Sequence, residues 1–140
     1  MATLTLRVIT PDRIMLDEVV DSVRLQGLDG SLGVLPRHAP MVAALDTGLV
    51  RYKKNGVEHV LFCAGGFAEV HGDTLRVVTQ SSERPEDIDE PRARAAEARA
   101  RERLHQRRAV GDEPFDIVRA EASRRRALLR AAAKSYAARG

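Results

Sequence analysis

The sequence predicts a β-sandwich followed by a pair of helices, a β + α chain in two successive parts. Three observations carry that expectation. Apolar residues recur at every second position up to about Gln80, and along a helical face beyond Ser81. Turn-forming Gly, Asn and Asp residues punctuate the first part at short intervals. Alanine and arginine crowd the second part.

In chain order, Leu4, Leu6 and Val8 alternate with Thr3, Thr5 and Arg7, the period of a half-buried strand. Val23 and Leu25 continue the alternation. Residues Gly30 to Pro40 read G-S-L-G-V-L-P-R-H-A-P, with Arg37 and His38 held between two prolines. Glycine reaches φ values that other residues avoid, and proline fixes φ and withholds a donor. The segment therefore reads as a shaped turn at one end of the β structure, presented to a partner, with an ordinary connection as the alternative. Asp46-Thr47-Gly48 reads as a further turn, and Leu49 and Tyr52 flank Val50 and Arg51 in the next strand. Asn55-Gly56 between Leu49–Lys54 and Val57–Cys63 signals a hairpin, because both central positions want positive φ. Gly65-Gly66 marks a bulge or a close backbone approach, with a flexible loop as the alternative. His71-Gly72-Asp73 turns the chain into Thr74–Thr79. Short strands at this spacing predict an antiparallel sandwich or barrel.

Ser81 to Glu90 is polar and turn-rich, which sets the expected boundary between a β unit over 1–84 and a helical unit over 85–140. Ala93, Ala96, Ala100 and Leu104 line one face of a helix from Pro91 to about Arg108. Asp89 stands at the N-cap position and Pro91 in the first turn, where a missing amide hydrogen costs little. Gly111 to Pro114 breaks the helix, and Val118, Ala122, Leu129, Ala132 and Tyr136 line a second. The two form an antiparallel hairpin. Alanine faces bury little area at about 25 cal/mol per Å², so the hairpin is expected to dock loosely and to be able to come off.

Composition narrows the function. At 140 residues the chain has room for a core, but aromatics make up only 4%. The longest apolar run, Val60 to Ala68, is too short to span a bilayer. The N-terminus lacks a basic region followed by an apolar core, so no secretion is expected. Cys63 is the only cysteine, which excludes an internal disulfide. Residues 1–80 hold 8 Lys/Arg against 9 Asp/Glu, whereas residues 81–140 hold 15 against 11. The cationic end implies an anionic partner: an acidic protein surface, a nucleotide or nucleic acid. Against nucleic acid, the helical half has only Phe115 and Tyr136 for base stacking. Against an enzyme, His38, His59, His71 and His105 show no metal-ligand spacing, and His59 and Cys63 would lie about 13 Å apart on one strand. Gly27 to Gly33 lacks the Lys-Ser/Thr ending of a phosphate-binding loop. No catalytic residue, metal or required cofactor is expected.

The Gly30–Pro40 segment, Gly48, and Gly65-Gly66-Phe67-Ala68-Glu69-Val70 together resemble the epsilon subunit of bacterial and chloroplast F-type ATP synthases. The likeness covers nearly the whole chain. It implies an antiparallel ten-stranded β-sandwich followed by a two-helix domain, in a rotor subunit that links proton flow to ATP synthesis. The sandwich would bind the gamma subunit and stand on the membrane c-ring, on the cytoplasmic face of the bacterial plasma membrane, without inserting into it. The resemblance places Gly30, Ser31 and Gly33 toward the c-ring, with Arg37 and His38 in the same lower region. An acidic residue commonly stands at the position of Ser31, and Asp29 is the candidate to supply that charge here.

Ile88-Asp89-Glu90-Pro91-Arg92-Ala93 matches the Ile/Leu-Asp-x-x-Arg-Ala pattern by which some bacterial members bind ATP in the folded hairpin. Arg92 offers a fork of donors to phosphate near a helix N-terminus, and Asp89 is placed to accept from the nucleoside. Arg99 lies two turns further on, and Glu83 and Arg126 match more weakly. The alternative is a plain N-cap at Asp89 and one arginine among many at Arg92. ATP is thus the expected regulatory ligand. In the family the hairpin extends into the alpha/beta catalytic head and suppresses ATP hydrolysis. Arg119, Arg124, Arg125, Arg126 and Arg130 are the cations available to meet beta there.

Overall fold

In this computed structural model the backbone is described for residues 2–110 and 114–139, and the side chains for 2–89, 91–106 and 121–134. Eight strands come first: β1 (Leu4–Ile9), β2 (Ile14–Val20), β3 (Ser22–Gly27), β4 (Gly30–Val34), β5 (Met41–Lys54), β6 (Val57–His71), β7 (Thr74–Val78) and β8 (Ser82–Glu83). A single 3-10 turn (Pro85–Asp87) leads into α1 (Glu90–Val110) and α2 (Pro114–Arg139).

The ten strands implied by resemblance are eight because β5 and β6 are long and serve two layers. They pair antiparallel from Met41↔Val70 to Lys54↔Val57, with the ladder interrupted between Leu45 and Thr47. On one side of that break β6 continues through β7 to β1 and β2. On the other side β5 pairs with β3, β3 with β4, and β6 with β8. Each layer therefore has five strand segments. One pair departs from the antiparallel expectation: β1 and β7 run parallel, Thr5↔Thr74 to Ile9↔Val78. Between the layers lie Leu4, Leu6, Val8, Leu25, Leu61, Val70, Leu75 and Val77, all but excluded from solvent. These are the inward positions of the alternation, as the period demands.

The turn expected at Asp46-Thr47-Gly48 does not form. Asp46 Oδ1 accepts from the Thr47 backbone N–H at 2.8 Å, which stabilises a kink rather than a reversal. The pairing of β5 with β3 slips there, from Arg24↔Arg51 to Gly27↔Leu45. Gly48 is needed for proximity, since a Cβ on it would lie 2.8 Å from the Gln26 Cβ. Gly65-Gly66 across the ladder does what the sequence promised. Both have positive φ, and a Cβ on Gly66 would sit 1.9 Å from the Val78 carbonyl oxygen. The Asn55-Gly56 hairpin forms with both residues at positive φ.

Gly30–Pro40 is not one turn. Gly30–Val34 is β4, paired with β3 across a Leu28-Asp29 reversal. The second reversal falls at Leu35–His38, where the His38 N–H donates to the Leu35 carbonyl at 3.2 Å and Arg37 has φ 65°. Proline followed by a positive-φ residue is the type II pattern.

The Ala93, Ala100 and Leu104 stripe of α1 is buried, with Ala96 partly so. The second stripe needs correction. Ala122 and Ala132 are exposed, Leu129 is half-buried, and the buried residues are Ala127, Ala131 and Ala133. The reason is position: α2 packs on α1 and also carries the hairpin's main contacts with β5 and β6. A helix covered on two sides has no single stripe to read. The side chains of Val118 and Tyr136, and residues Gly111–Glu113 of the expected break, lie outside the described residues. Ser81–Glu90 is more than a bare connection, because β8 pairs with Phe62 and Cys63 and Ile88 is buried.

Candidate functional site

The hairpin meets the sandwich through a small apolar cluster. Val60 and Phe62 of β6 pack with Ile88, Ala93, Ala131 and Ala133, and with the half-buried Leu49, Ala64 and Leu129. Polar contacts frame it. Arg130 Nε donates to Glu83 Oε1 at 2.6 Å, and its guanidinium lies 4.6 Å from the centroid of the Phe62 ring. Arg125 pairs with Asp46 at 3.0 Å. Within the hairpin, Arg124 Nε donates to Glu97 Oε1 at 3.1 Å.

Beside this cluster opens a cavity of about 360 Å³ lined by Glu83, Ile88, Asp89, Arg92, Ala93 and Arg130, among others. The volume lies in the range of small-ligand pockets. Five residues expected to bind nucleotide from the sequence are thereby brought together: Glu83, Ile88, Asp89, Arg92 and Ala93. Arg99 and Arg126 do not line it. Asp89 is the N-cap of α1, its Oδ1 accepting from the Arg92 N–H at 3.1 Å and its carbonyl from the Ala93 N–H at 2.9 Å. Asp89 and Arg92 both line the cavity beside this cap. Four cavity residues were not expected there from the sequence: Asp87, Ala96, Ala127 and Arg130. Helical spacing from Arg126, one turn away on α2, was the available signal for Arg130. Its pairing with Glu83, 47 positions back, had none.

At the β3–β4 end, Asp29, Gly30, Ser31 and Gly33 are exposed. The Ser31 hydroxyl accepts from Arg24 Nη1 at 3.2 Å. Arg37 is exposed, and His38 Nδ1 lies 2.7 Å from the Ala39 carbonyl oxygen. Asp29–Gly33 sit on the β3–β4 hairpin, while Arg37 and His38 belong to the next reversal. Of the arginines offered to a catalytic head, Arg124, Arg125 and Arg130 are engaged within the chain. The Arg119 side chain lies outside the described residues.

One surface escaped the sequence reading. The ladder aligns Ile14, Ile9, Val78, Phe67 and Ala44 in a row across five strand segments of the first layer. Phe67 is 60% exposed, and Ile14, Val78 and the neighbouring Val42 are also exposed. Adjacent apolar residues such as Val77-Val78 and Phe67-Ala68, which break the alternation, were the signal. A contiguous apolar face on a sheet marks a contact surface. No helix among the described residues is long and apolar enough to cross a membrane.

Comparison with known proteins agrees with this architecture. Residues 3–85 match the family model described as ATP synthase, Delta/Epsilon chain, beta-sandwich domain, and residues 86–135 match its long alpha-helix domain. The ATP synthase epsilon chain of Nitratidesulfovibrio vulgaris is 46% identical over 128 residues, covering 91% of this chain and 92% of that one. That of Halalkalibacterium halodurans is 43% identical over 130 residues, covering 93% and 96%. A chain of the Euglena gracilis mitochondrial ATP synthase superposes with a TM-score of 0.76 at 22% identity, over 100% of this chain and 83% of that one, which is a likeness of fold. Epsilon chains are non-catalytic subunits. With both parts matched in order and the relatives spanning nearly its full length, the chain belongs to the delta/epsilon chain family of ATP synthases.

Proposed function

We propose that this chain is the epsilon subunit of the synthase's central stalk, that its sandwich joins the gamma subunit to the c-ring, and that its helical hairpin restrains ATP hydrolysis in an ATP-sensitive manner. The sandwich unit over 1–84 is the fixed part and the hairpin over 85–140 the regulatory one. As part of that complex it works at the cytoplasmic face of the bacterial plasma membrane. The apolar row through Phe67 and Val78 supports the contact with gamma, and the exposed β3–β4 end supports the contact with the c-ring.

The observation that carries the regulatory part is the docked hairpin with a cavity at its hinge. Few large apolar residues hold it, and two of the arginines assigned to beta, Arg125 and Arg130, clasp it to the sandwich in the docked form, while Arg124 pairs with Glu97 inside the hairpin. Release would therefore free the same cations that an acidic surface of beta would attract. ATP in the hinge cavity would be in contact with residues of the sandwich, the hinge and both helices, Glu83, Asp89, Arg92 and Arg130. A ligand of the docked form alone stabilises it by about 2.7 kcal/mol at a hundredfold excess over Kd. That is enough to switch two states a few kcal/mol apart.

Two measurements test this. Titrating the isolated chain with ATP should give saturable heat and a raised Tm. An assembled synthase truncated after Glu90 should hydrolyse ATP faster with its assembly intact. No heat and no Tm shift would remove ATP from the reading, and unchanged hydrolysis would remove the restraint.

A further inference from the structure

Toward the Asn55-Gly56 end of the sandwich, a cavity of about 460 Å³ opens between β2, the β5–β6 hairpin and the 3-10 turn at Pro85–Asp87. Tyr52 of β5 lines it, 8% exposed and stacked on His59 with ring centroids 5.1 Å apart. A buried tyrosine hydroxyl ordinarily finds a hydrogen-bond partner. That of Tyr52 has none among the described residues. It is not sealed from solvent either, since Arg7 Nε is the only sealed side-chain polar atom without a partner among those residues. The hydroxyl therefore opens on the cavity with its hydrogen-bonding capacity unused. Burial holds it above its usual 10.0, Glu18 and Glu86 push the same way and Arg84 opposes them, so it is a neutral phenol at physiological pH.

Three carboxylates line the same space: Glu18 on β2, Glu58 on β6 and Glu86 on the turn. Glu18 is answered by Lys54 at 3.3 Å. Glu58 and Glu86 make no ion pair with a described residue. The other cation of the wall, Arg84, is held by the Met15 carbonyl, to which its Nη2 donates at 2.7 Å. The wall is thus net negative, with two acids unpaired. Leu16, Val60 and Leu61 give it a buried apolar side. Unpaired acids, a neutral phenol oxygen and an apolar wall suit an ammonium on an aliphatic stem, whose N–H groups meet the oxygens while its methylenes lie along the apolar side.

We propose that this cavity binds a primary ammonium group on an aliphatic stem, either a free amine or a lysine side chain presented by another chain. Glu58 and Glu86 accept from the ammonium, the Tyr52 hydroxyl accepts a further N–H, and Leu16, Val60 and Leu61 cover the stem. A quaternary ammonium carries no N–H and leaves the hydroxyl unsatisfied. No residue of the hinge cavity lines this one, and neither helix contributes to it among the described residues. The site is therefore independent of the regulatory reading given above.

The experiment is NMR titration of the full chain at constant ionic strength with n-butylammonium chloride and with Nα-acetyl-lysine amide, against tetramethylammonium chloride. Saturable shifts of the Tyr52, His59 and Glu86 amides are expected with at least one of the two primary amines and not with tetramethylammonium. Shifts with butylammonium alone assign the site to free amines, and shifts with acetyl-lysine amide extend it to lysine side chains. Glu86 is exposed, so Glu86→Gln leaves the fold intact, and it should weaken binding about tenfold. Tyr52→Phe keeps the ring and should weaken it about fivefold. No saturable shift with either primary amine, an equal response to tetramethylammonium, or binding indifferent to Glu86→Gln or to Tyr52→Phe overturns the site. Neither ATP nor assembled synthase enters the titration, so its failure leaves the regulatory reading standing.

Discussion

Arg130 on α2 reaches Glu83 on β8 at 2.6 Å, joining the last helix to the last strand across 47 positions of chain. Both side chains are about 30% exposed, and the guanidinium also covers Phe62. Partly exposed ion pairs contribute roughly 1 kcal/mol and a cation–π contact about as much. Arg130→Ala should shift the docked population of the hairpin by roughly tenfold, read as faster amide exchange in α2 with exchange in β6 unchanged. A double-mutant cycle with Glu83→Gln should return a coupling of about 0.5–1 kcal/mol.

Asp89 has two assignable roles, and one substitution separates them. Asn caps a helix about as well as Asp, whereas Ala loses the cap at a cost of about 1 kcal/mol. Asp89→Ala should lower Tm and Asp89→Asn should leave it nearly unchanged. The rise in Tm produced by ATP should fall in both. An undiminished rise in Asp89→Asn would confine this residue to capping.

The Gly66 position tests the close approach inside the kink. Gly66→Ala places a methyl 1.9 Å from a backbone oxygen that cannot swing away, at φ +114°. Roughly 3 kcal/mol or more of stability should be lost. Gly56→Ala, with φ +78° and nothing within 4 Å, should lose only about 1–2 kcal/mol. Urea denaturation of the two variants distinguishes clash from strain.

Cys63 is buried with its Sγ 3.5 Å from the Ser82 hydroxyl oxygen. Burial pushes its thiol up from 9.0 to about 11, and the Ser82 contact offsets part of that rise. A raised pKa means that the folded chain favours the neutral thiol. Stability carried by that preference is complete below pH 9.0 and is lost as pH climbs through about 11. A thiol reagent at pH 8 should label Cys63 no faster than the chain unfolds, and Cys63→Ala should flatten the alkaline fall in stability.

Asp29 is exposed at the β3–β4 reversal, two residues from Ser31. If it supplies the charge that the family resemblance leads one to expect at the Ser31 position, and if this end meets the c-ring as proposed, Asp29→Lys should weaken assembly with the c-ring, measured by co-purification. Unchanged assembly would end that assignment.

Alternation exposed most of the fold in the sequence. Leu4, Leu6 and Val8 announced an inward face, and Asn55-Gly56 announced its hairpin, because in both cases the information is local. Four residues of the hinge cavity, Ile88, Asp89, Arg92 and Ala93, were legible through a short motif with the N-cap at Asp89, and Glu83 through a weaker match outside it. What stayed hidden depends on partners far along the chain. Asp46-Thr47-Gly48 has the chemistry of a turn, and only the neighbouring strands keep it extended. The buried side of α2 is set by its place between α1 and β6, which no helical period encodes. The facing of Arg24 and Arg51 depends on a register that one strand cannot reveal.

Because β5 and β6 run unbroken through both layers, the layers are joined by covalent backbone as well as by an oily seam. Under the proposed place in the central stalk, torque entering at one face of such a unit would travel along peptide bonds as well as through side-chain packing. The ladder lapses only near Asp46 and Gly65, so that point, where cross-strand bonding is thinnest, is where a substitution would be expected to alter how load passes between the layers.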